Sequence, residues 1–247
     1  MAEPGKLYLV SVPIGNPLDL SPRAIRVLTE VDMVVCENIR NGSTCLKKHD
    51  IRTSLFELNK DNKTEDTTTL LKVLGTGQSL AMISDAGTPI FADPGLELVQ
   101  GAIRLKVPVV PVPGASSLMA ALVSSGFSLD QFHFAGFMPR QGNQRLSRLK
   151  ELLQIRTLIV FLETPYRLNP LLKDTLKIFP PGTPAVLCMN LTQSNEKMYR
   201  GHLKQMQAQF EKAPFKGEFV LLLDNSAPPG EKTRNFRSEG YRISVRK

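Results

Sequence analysis

Short, continuous apolar runs alternate with segments of helical periodicity along the first half of the chain. LYLVSV (7–12) and DMVVCE (32–37) are rich in β-branched residues, and between them Ser21-Pro22 introduces RAIRVLTE. Serine at an N-cap with proline at the first helical position is a helix start, so this stretch predicts strand, helix, strand. The pattern continues with a helix over 65–74 stopped by Gly75 and Gly77, and a strand over 79–84. A helix over roughly 95–105 follows, with Asp93 expected as its cap and Pro94 at its first position, and then a strand over 107–112. Strands apolar on both faces and separated by helices predict a parallel sheet covered on both sides.

The texture changes near Gly126. QFHFAGFMPR (131–140) alternates as a strand does, a basic helix follows at 142–154, and RTLIVFLE (156–163) is again a continuous apolar run. A helix near 167–178, a strand at 184–190, a short strand at 197–201, a helix at 202–212 and a strand at 217–224 complete a second α/β unit. The expected organisation is therefore an N-terminal domain over 1–125, a C-terminal domain over 126–226 and a flexible basic tail over 227–247, the two domains packing tightly through a short connection.

Charge sharpens this division. The 247-residue chain has a formal net charge of +8, but residues 232–247 carry +5 of it, leaving +3 for the rest. A tail of this kind suits either RNA contact or solubility. Within the second unit, 139–156 holds Arg140, Arg145, Arg148, Lys150 and Arg156 against Glu151 alone, and Arg145 and Arg148 share a helical face. That run is the expected nucleic-acid surface, with an ordinary solvated helix as its alternative. Cys36, Cys45 and Cys188 form no CxxC or Cys/His pattern and are expected to be reduced thiols, with no metal site. His49, His133 and His202 are scattered, and structural or surface roles are expected of them. No apolar run reaches membrane-spanning length and the N-terminal residues lack a secretory pattern, so a cytoplasmic location with no membrane partner is expected.

Three loops at expected strand ends combine glycine with proline: VPIGNP (12–17), SDAGTPIFADPG (84–95) and VPGASS (112–117). In an open α/β sheet ligands bind beyond the carboxyl ends of the strands, where glycine permits close backbone approach and proline stiffens the loop. Singly, each is an ordinary strand-to-helix turn; three together indicate a ligand shelf. None matches GxGxxG or GxxxxGK[ST], which disfavours a dinucleotide fold or a triphosphate loop.

LYLVSVPIGNPLDLSPRAIRVL, VDMVVCENIR, ISDAGTPIFADPG, VPVVPVPGASSLMAALVSSG, GFMPR, LIVFLETPYRL and KGEFVLLL, in this order over roughly residues 6–224, resemble the ribosomal RNA small subunit methyltransferase I family. The resemblance implies a tetrapyrrole methylase fold, with two α/β domains binding S-adenosyl-L-methionine in the cleft between them. It also implies a homodimer and methyl transfer to the 2′-hydroxyl of a cytidine in small-subunit ribosomal RNA. Carried onto this chain, it places Pro13, Ile14 and Gly15 along the cleft, and Ser84, Asp85, Ala86, Gly87, Thr88, Ile90 and Phe91 along the cofactor. Ala115, Ser116 and Ser117 would supply amide and hydroxyl contacts, Phe161, Leu162 and Met189 would close over the adenine, and Gly217 with Glu218 would complete the pocket.

Where that family usually has Glu-Asp-Thr-Arg this chain has Glu37-Asn38-Ile39-Arg40, its His-Glu-His-Asn is Asn59-Lys60-Asp61-Asn62, and its Arg-Glu-Leu-Thr-Lys is Met189-Asn190-Leu191-Thr192-Gln193. These changes fall on the expected substrate side and leave the cofactor loops intact. A ribose hydroxyl is a weak acid, so a base would assist transfer: Glu37 or Asp85 is the candidate, with Arg40 as a positioning group. Each is equally suited to capping or ion pairing. The rival readings are a methylase of a small tetrapyrrole-like acceptor, which the first loop disfavours, and a ribosome-binding module without catalysis.

Overall fold

Ser21 Oγ accepts the Ala24 amide at 3.1 Å and Pro22 takes the first helical position. The expected helix therefore forms as α1 (Pro22–Glu30), between β1 (Leu7–Val10) and β2 (Met33–Cys36). The structure is a computed structural model and describes residues 5–58, 63–91 and 94–227; the basic tail and the Asn59–Asn62 departure lie outside the described residues. The chain divides into two units, Met1–Ser116 and Ser117–Lys247.

After β2 the first unit continues with α2 (Ile39–Lys47), β3 (Leu55–Glu57), α3 (Lys63–Gly75), β4 (Leu80–Met82), α4 (Leu96–Arg104) and β5 (Val109–Val112). Its sheet has the order β3-β2-β4-β1-β5 with every pair parallel, as the apolar runs predict. The two faces are filled by alternate residues, the two-residue period of a strand. Val10, Val34, Cys36 and Ala81 pack with Ala24, Val27 and Leu28 of α1 and Leu46 of α2, whereas Leu7, Val35, Leu80 and Met82 pack with Leu70 and Leu74 of α3 and Leu98 and Ala102 of α4.

The start of α4 differs from expectation. Gly95, at φ 119°, is its cap and Leu96 its first residue, so Pro94 stands before the helix. A Cβ at residue 95 would collide with the Met82 side chain, and the left-handed backbone excludes most residues in any case. Asp93 lies outside the described residues.

The second unit begins with α5 (Ser117–Ser125), followed by β6 (Phe132–Phe137), α6 (Gly142–Leu153), β7 (Leu158–Glu163), α7 (Leu168–Ile178), β8 (Pro184–Met189), β9 (Lys197–His202), α8 (Leu203–Lys212) and β10 (Phe219–Asp224). The sheet order is β6-β7-β10-β8-β9; β6 and β7 are parallel and the other neighbours antiparallel. The core beneath α6, α7 and α8 contains Leu149, Leu152, Phe161, Leu172, Leu187, Met206 and Leu221. α5 precedes the boundary expected near residue 126, yet it lies against β8 and β10, and its Ser124 carbonyl accepts from Arg200 at 2.6 Å. Its packing therefore places it in the second unit. Among the described residues no helix is long and apolar enough to cross a membrane.

Candidate active site

Because all five strands of the first sheet run the same way, the loops after β1, β4 and β5 emerge at one edge, and hydrogen bonds join them there. Val12 N donates to Gly87 O at 2.9 Å and Gly87 N donates back to Val12 O at 3.1 Å. Ser11 Oγ and Thr88 Oγ1 share a hydrogen bond of 2.9 Å, and Thr88 Oγ1 donates to Ala115 O at 3.4 Å. Ser84 is buried, and its hydroxyl points to the carbonyls of Ala86 and Gly87 at 3.1 and 3.0 Å, which curls the loop back on itself. Asp85, Ala86 and Thr88 are left exposed. Ser11, which sequence reasoning missed, is thus a link in the shelf; its position inside an apolar run gave no signal of that.

The reason for two of the glycines differs from the expected one. Gly87 has φ +79°, and a Cβ there would sit 3.2 Å from Ile14 Cγ2. Gly114 is bounded by Ser11, whose Cβ and carbonyl oxygen would lie 3.0 and 3.1 Å from an added methyl. Loop shape and loop-to-loop packing require both residues before any ligand is considered. Ile90, with φ 74°, is the more informative position, because a β-branched side chain in left-handed backbone is strained and such strain gathers at functional loops. Phe91 beside it is exposed, Pro13 and Ile14 are half-buried and Gly15 is exposed on the facing loop. Ala115 and Ser116 close the first unit, and Ser117 opens α5.

The candidate catalytic residues meet this shelf through α2. Glu37, half-buried, follows the last residue of β2, and Asn38 then caps α2, its Oδ1 accepting the Arg40 and Asn41 amides at 2.9 and 3.3 Å. One residue past the exposed Arg40, Asn41 Nδ2 donates to Asp85 Oδ2 at 2.6 Å. The helix is seated close to the sheet, since a Cβ on Gly42 would come within 2.9 Å of Cys36 Sγ. Burial, and after it the carboxylates of Glu57 and Asp85, push the Cys36 thiol up to about 11, and burial likewise takes Cys188 to about 11. Both are inert at neutral pH.

Beside Asp85 lies a groove of about 250 Å³, walled by Pro13, Ile14 and Pro17 on one side and by Asn41, Thr44, Cys45 and Lys48 on the other, with His49 at its end. The helical residues are spaced i, i+3, i+4 and i+7, one face of α2. That spacing was readable only once α2 was known to be a helix.

In the second unit, Phe161, Leu162, Met189, Gly217 and Glu218 gather at one end of the sheet, because β10 begins where β7 and β8 finish, Phe219 pairing with Glu163 and Met189. Phe161, however, is fully buried in the core under the helices, and Met189 is buried in the same cluster. Their side chains pack into that core, whereas the resemblance places them over the adenine; Leu162 is half-buried and Glu218 exposed. Gly217 makes room for Asn190, since a Cβ there would stand 2.5 Å from its Oδ1, and Asn190 N donates to Glu218 O at 2.8 Å. Partial burial raises the Glu218 carboxyl.

The basic helix is also corrected. Arg145 is buried: its Nε and one terminal nitrogen reach Asp174 Oδ2 at 2.9 and 2.5 Å, and the other terminal nitrogen donates to the carbonyls of Pro139 and Arg140. Arg145 therefore joins α6 to α7 and is withdrawn from any RNA surface, while Arg148 pairs with Glu151 at 2.8 Å. The partner, Asp174, lies 29 residues away, out of reach of any helical periodicity.

Among the described residues no group of three or more His, Cys, Asp or Glu side chains could hold a metal ion. A sequence profile described as Tetrapyrrole (Corrin/Porphyrin) Methylases matches residues 6–207, which take in the whole loop edge of the first unit and most of the second. The chain belongs to that family. Among tetrapyrrole methylases and their relatives, it is 39% identical over 229 residues to the ribosomal RNA small subunit methyltransferase I of Halalkalibacterium halodurans, covering 92% of this chain and 78% of that one. Its fold is similar to the Thermus thermophilus uroporphyrin-III C-methyltransferase complexed with S-adenosylhomocysteine, at a TM-score of 0.62, 22% identity and coverage of 89% and 97%. It is also similar to a diphthine synthase, at a TM-score of 0.71, 15% identity and 89% of each chain. The family expected from the motifs and the family found by comparison agree.

Proposed function

We propose that the chain transfers the methyl group of S-adenosyl-L-methionine to the 2′-hydroxyl of a cytidine in small-subunit ribosomal RNA, acting in the cytoplasm as a homodimer. The observation that carries this reading is the bonded set of three loops at the carboxyl edge of the parallel sheet, in a chain of this family. A cofactor with an amino-acid arm and ribose hydroxyls suits such an edge, where Asp85, Ala86 and Gly15 are exposed and Ala115 is half-buried beside the exposed Gly114. These residues, with Thr88, Ile90, Phe91 and Ser116, would hold it.

Bound there, the cofactor supplies an activated methyl group whose sulfonium becomes a neutral thioether on transfer. The chain's own task is to hold the acceptor oxygen in line and take its proton. Asp85 suits the second role: Asn41 fixes its Oδ2, so Oδ1 receives the proton from the hydroxyl. Arg40, exposed on the first turn of α2, supports the acceptor strand, and Glu37 borders the same edge. The Asn38 departure is compatible with catalysis, because asparagine caps α2 as aspartate would.

The deciding experiment incubates the protein with labelled S-adenosylmethionine and small ribosomal subunits from cells lacking it, then maps the modified nucleotide. Label at a cytidine 2′-oxygen is expected. No transfer to unmodified subunits by cofactor-loaded protein would leave the binding-module reading in its place, and transfer to a small tetrapyrrole instead would favour the other rival.

A further inference from the structure

The groove between α2 and the loop after β1 shares Gly15, Asp85 and Ala86 with the residues assigned to the cofactor, but its α2 wall and far end have a chemical polarity that this assignment does not explain. At one end stands Asp85, held by Asn41; along the wall are the Asn41 amide and the Thr44 hydroxyl; at the other end are Lys48 and His49. Thr44 Oγ1 donates to the Arg40 carbonyl at 2.8 Å, which leaves its lone pairs to accept from an occupant. Two lysines at a helix end ordinarily complement its dipole, and Lys47 meets that need from outside the groove. Lys48 lines the groove itself, and no carboxylate among the described residues forms an ion pair with it.

An occupant must therefore bring hydroxyl groups to the acceptor end and negative charge to the cationic end. The volume of about 250 Å³ is below the roughly 300–1,000 Å³ of sites that bury a drug-sized ligand, so it suits one unit of a longer strand better than a free macrocycle. We infer that this groove is the acceptor-strand subsite, seating one ribose-phosphate unit of single-stranded RNA with its sugar hydroxyl toward Asp85 and its phosphate on Lys48 and His49. The inference rests on the proposed methyl transfer to RNA, and it replaces the basic helix of the second unit as the place where the strand is gripped next to the chemistry.

The test uses the full chain with small ribosomal subunits lacking the modification, titrated across a series of salt concentrations, and S-adenosylhomocysteine calorimetry in parallel. Lys48→Ala is expected to weaken subunit binding roughly tenfold, as loss of a hydrogen bond to a charged group does. The slope of log affinity against log salt should fall by about 0.7–1, the signature of one lost phosphate contact. His49→Ala should shift affinity in the same direction, and Lys47→Ala should change neither quantity. S-adenosylhomocysteine affinity should hold in all three variants. Unchanged subunit affinity and slope in Lys48→Ala, with unmutated protein that binds and methylates subunits, overturns the subsite while leaving the function intact. Loss of S-adenosylhomocysteine binding in Lys48→Ala assigns the groove to the cofactor. Unmutated protein that binds no subunit overturns both readings.

Discussion

Asn41 and Asp85, 44 residues apart, are joined by a hydrogen bond of 2.6 Å from the Asn41 amide to Asp85 Oδ2. The bond holds the first turn of α2 against the loop after β4 and leaves one carboxylate oxygen for chemistry. Asp85→Asn retains an oxygen to accept from Asn41 but removes the basicity. Single-turnover methyl transfer should fall by about 10²–10⁴ in this variant, the usual worth of a positioned base, with cofactor affinity retained. A rate within threefold of the unmutated protein would show that positioning alone suffices and would turn attention to Arg40.

Gly87 and Gly126 form a controlled pair, because both have left-handed backbone, at φ +79° and +80°, but a Cβ at 126 meets nothing within 4 Å. Alanine at either position should cost about 1–2 kcal/mol from backbone strain. Gly87→Ala should lose more, since its methyl presses on Ile14, and should also weaken S-adenosylhomocysteine binding. Denaturant melts and calorimetry on the two variants separate the contributions: equal losses at both sites would mean that Ile14 yields freely.

Arg145→Ala should destabilise the second unit by about 3–5 kcal/mol, because it strands a buried carboxylate. Burial acts to raise the Asp174 carboxyl, but hydrogen bonds from Lys177 and Arg145 outweigh it and hold it below its ordinary value. The stability it contributes is present above pH 3.8 and is lost as pH falls through the lowered value. The variant's melts should lose part of that acid-limb slope. RNA affinity per folded molecule should hold, contrary to the expectation from the sequence.

Glu163 titrates in the opposite sense. Its side chain is fully buried; burial raises the carboxyl, partly offset by the Thr164 amide and by Arg167, whose side chain lies 3.1 Å away. A raised carboxyl binds its proton more tightly in the folded state, so stability falls as pH climbs from 4.5 through the raised value. Glu163→Gln should flatten the melts over that interval relative to the unmutated protein. Parallel pH profiles for the two proteins would show that Arg167 keeps the carboxylate ionised throughout.

Local chemistry was the legible part of the sequence. The Ser21-Pro22 start, the apolar runs of the parallel sheet and the three glycine loops all express short-range rules, and each stands close to where those rules place it. α2 was not legible: IRNGSTCLK contains weak helix formers and a glycine, and the helix depends on the Asn38 cap and on its seat against Cys36. β3 has only three residues. The hidden roles of Arg145 and Phe161 come from partners far away in sequence, which explains why a basic run looked solvated and a core residue looked like a pocket wall.

The hydrogen bonds that run from the Ser11 hydroxyl through the Thr88 hydroxyl to the Ala115 carbonyl have a consequence for biosynthesis. β1 is made before either of its neighbours, since it is an interior strand whose partners begin to pair only at Leu80 and Val109. At about 5–20 residues per second, the segment LYLV waits several seconds on the translating ribosome with both of its edges unpaired. Until β4 and β5 have emerged, the nascent chain has no neighbour for β1 and holds only one of the three loops that must meet. The bonded set of loops is thus absent until translation passes residue 115, and during that interval the apolar segment of β1 is exposed in the way that chaperones recognise.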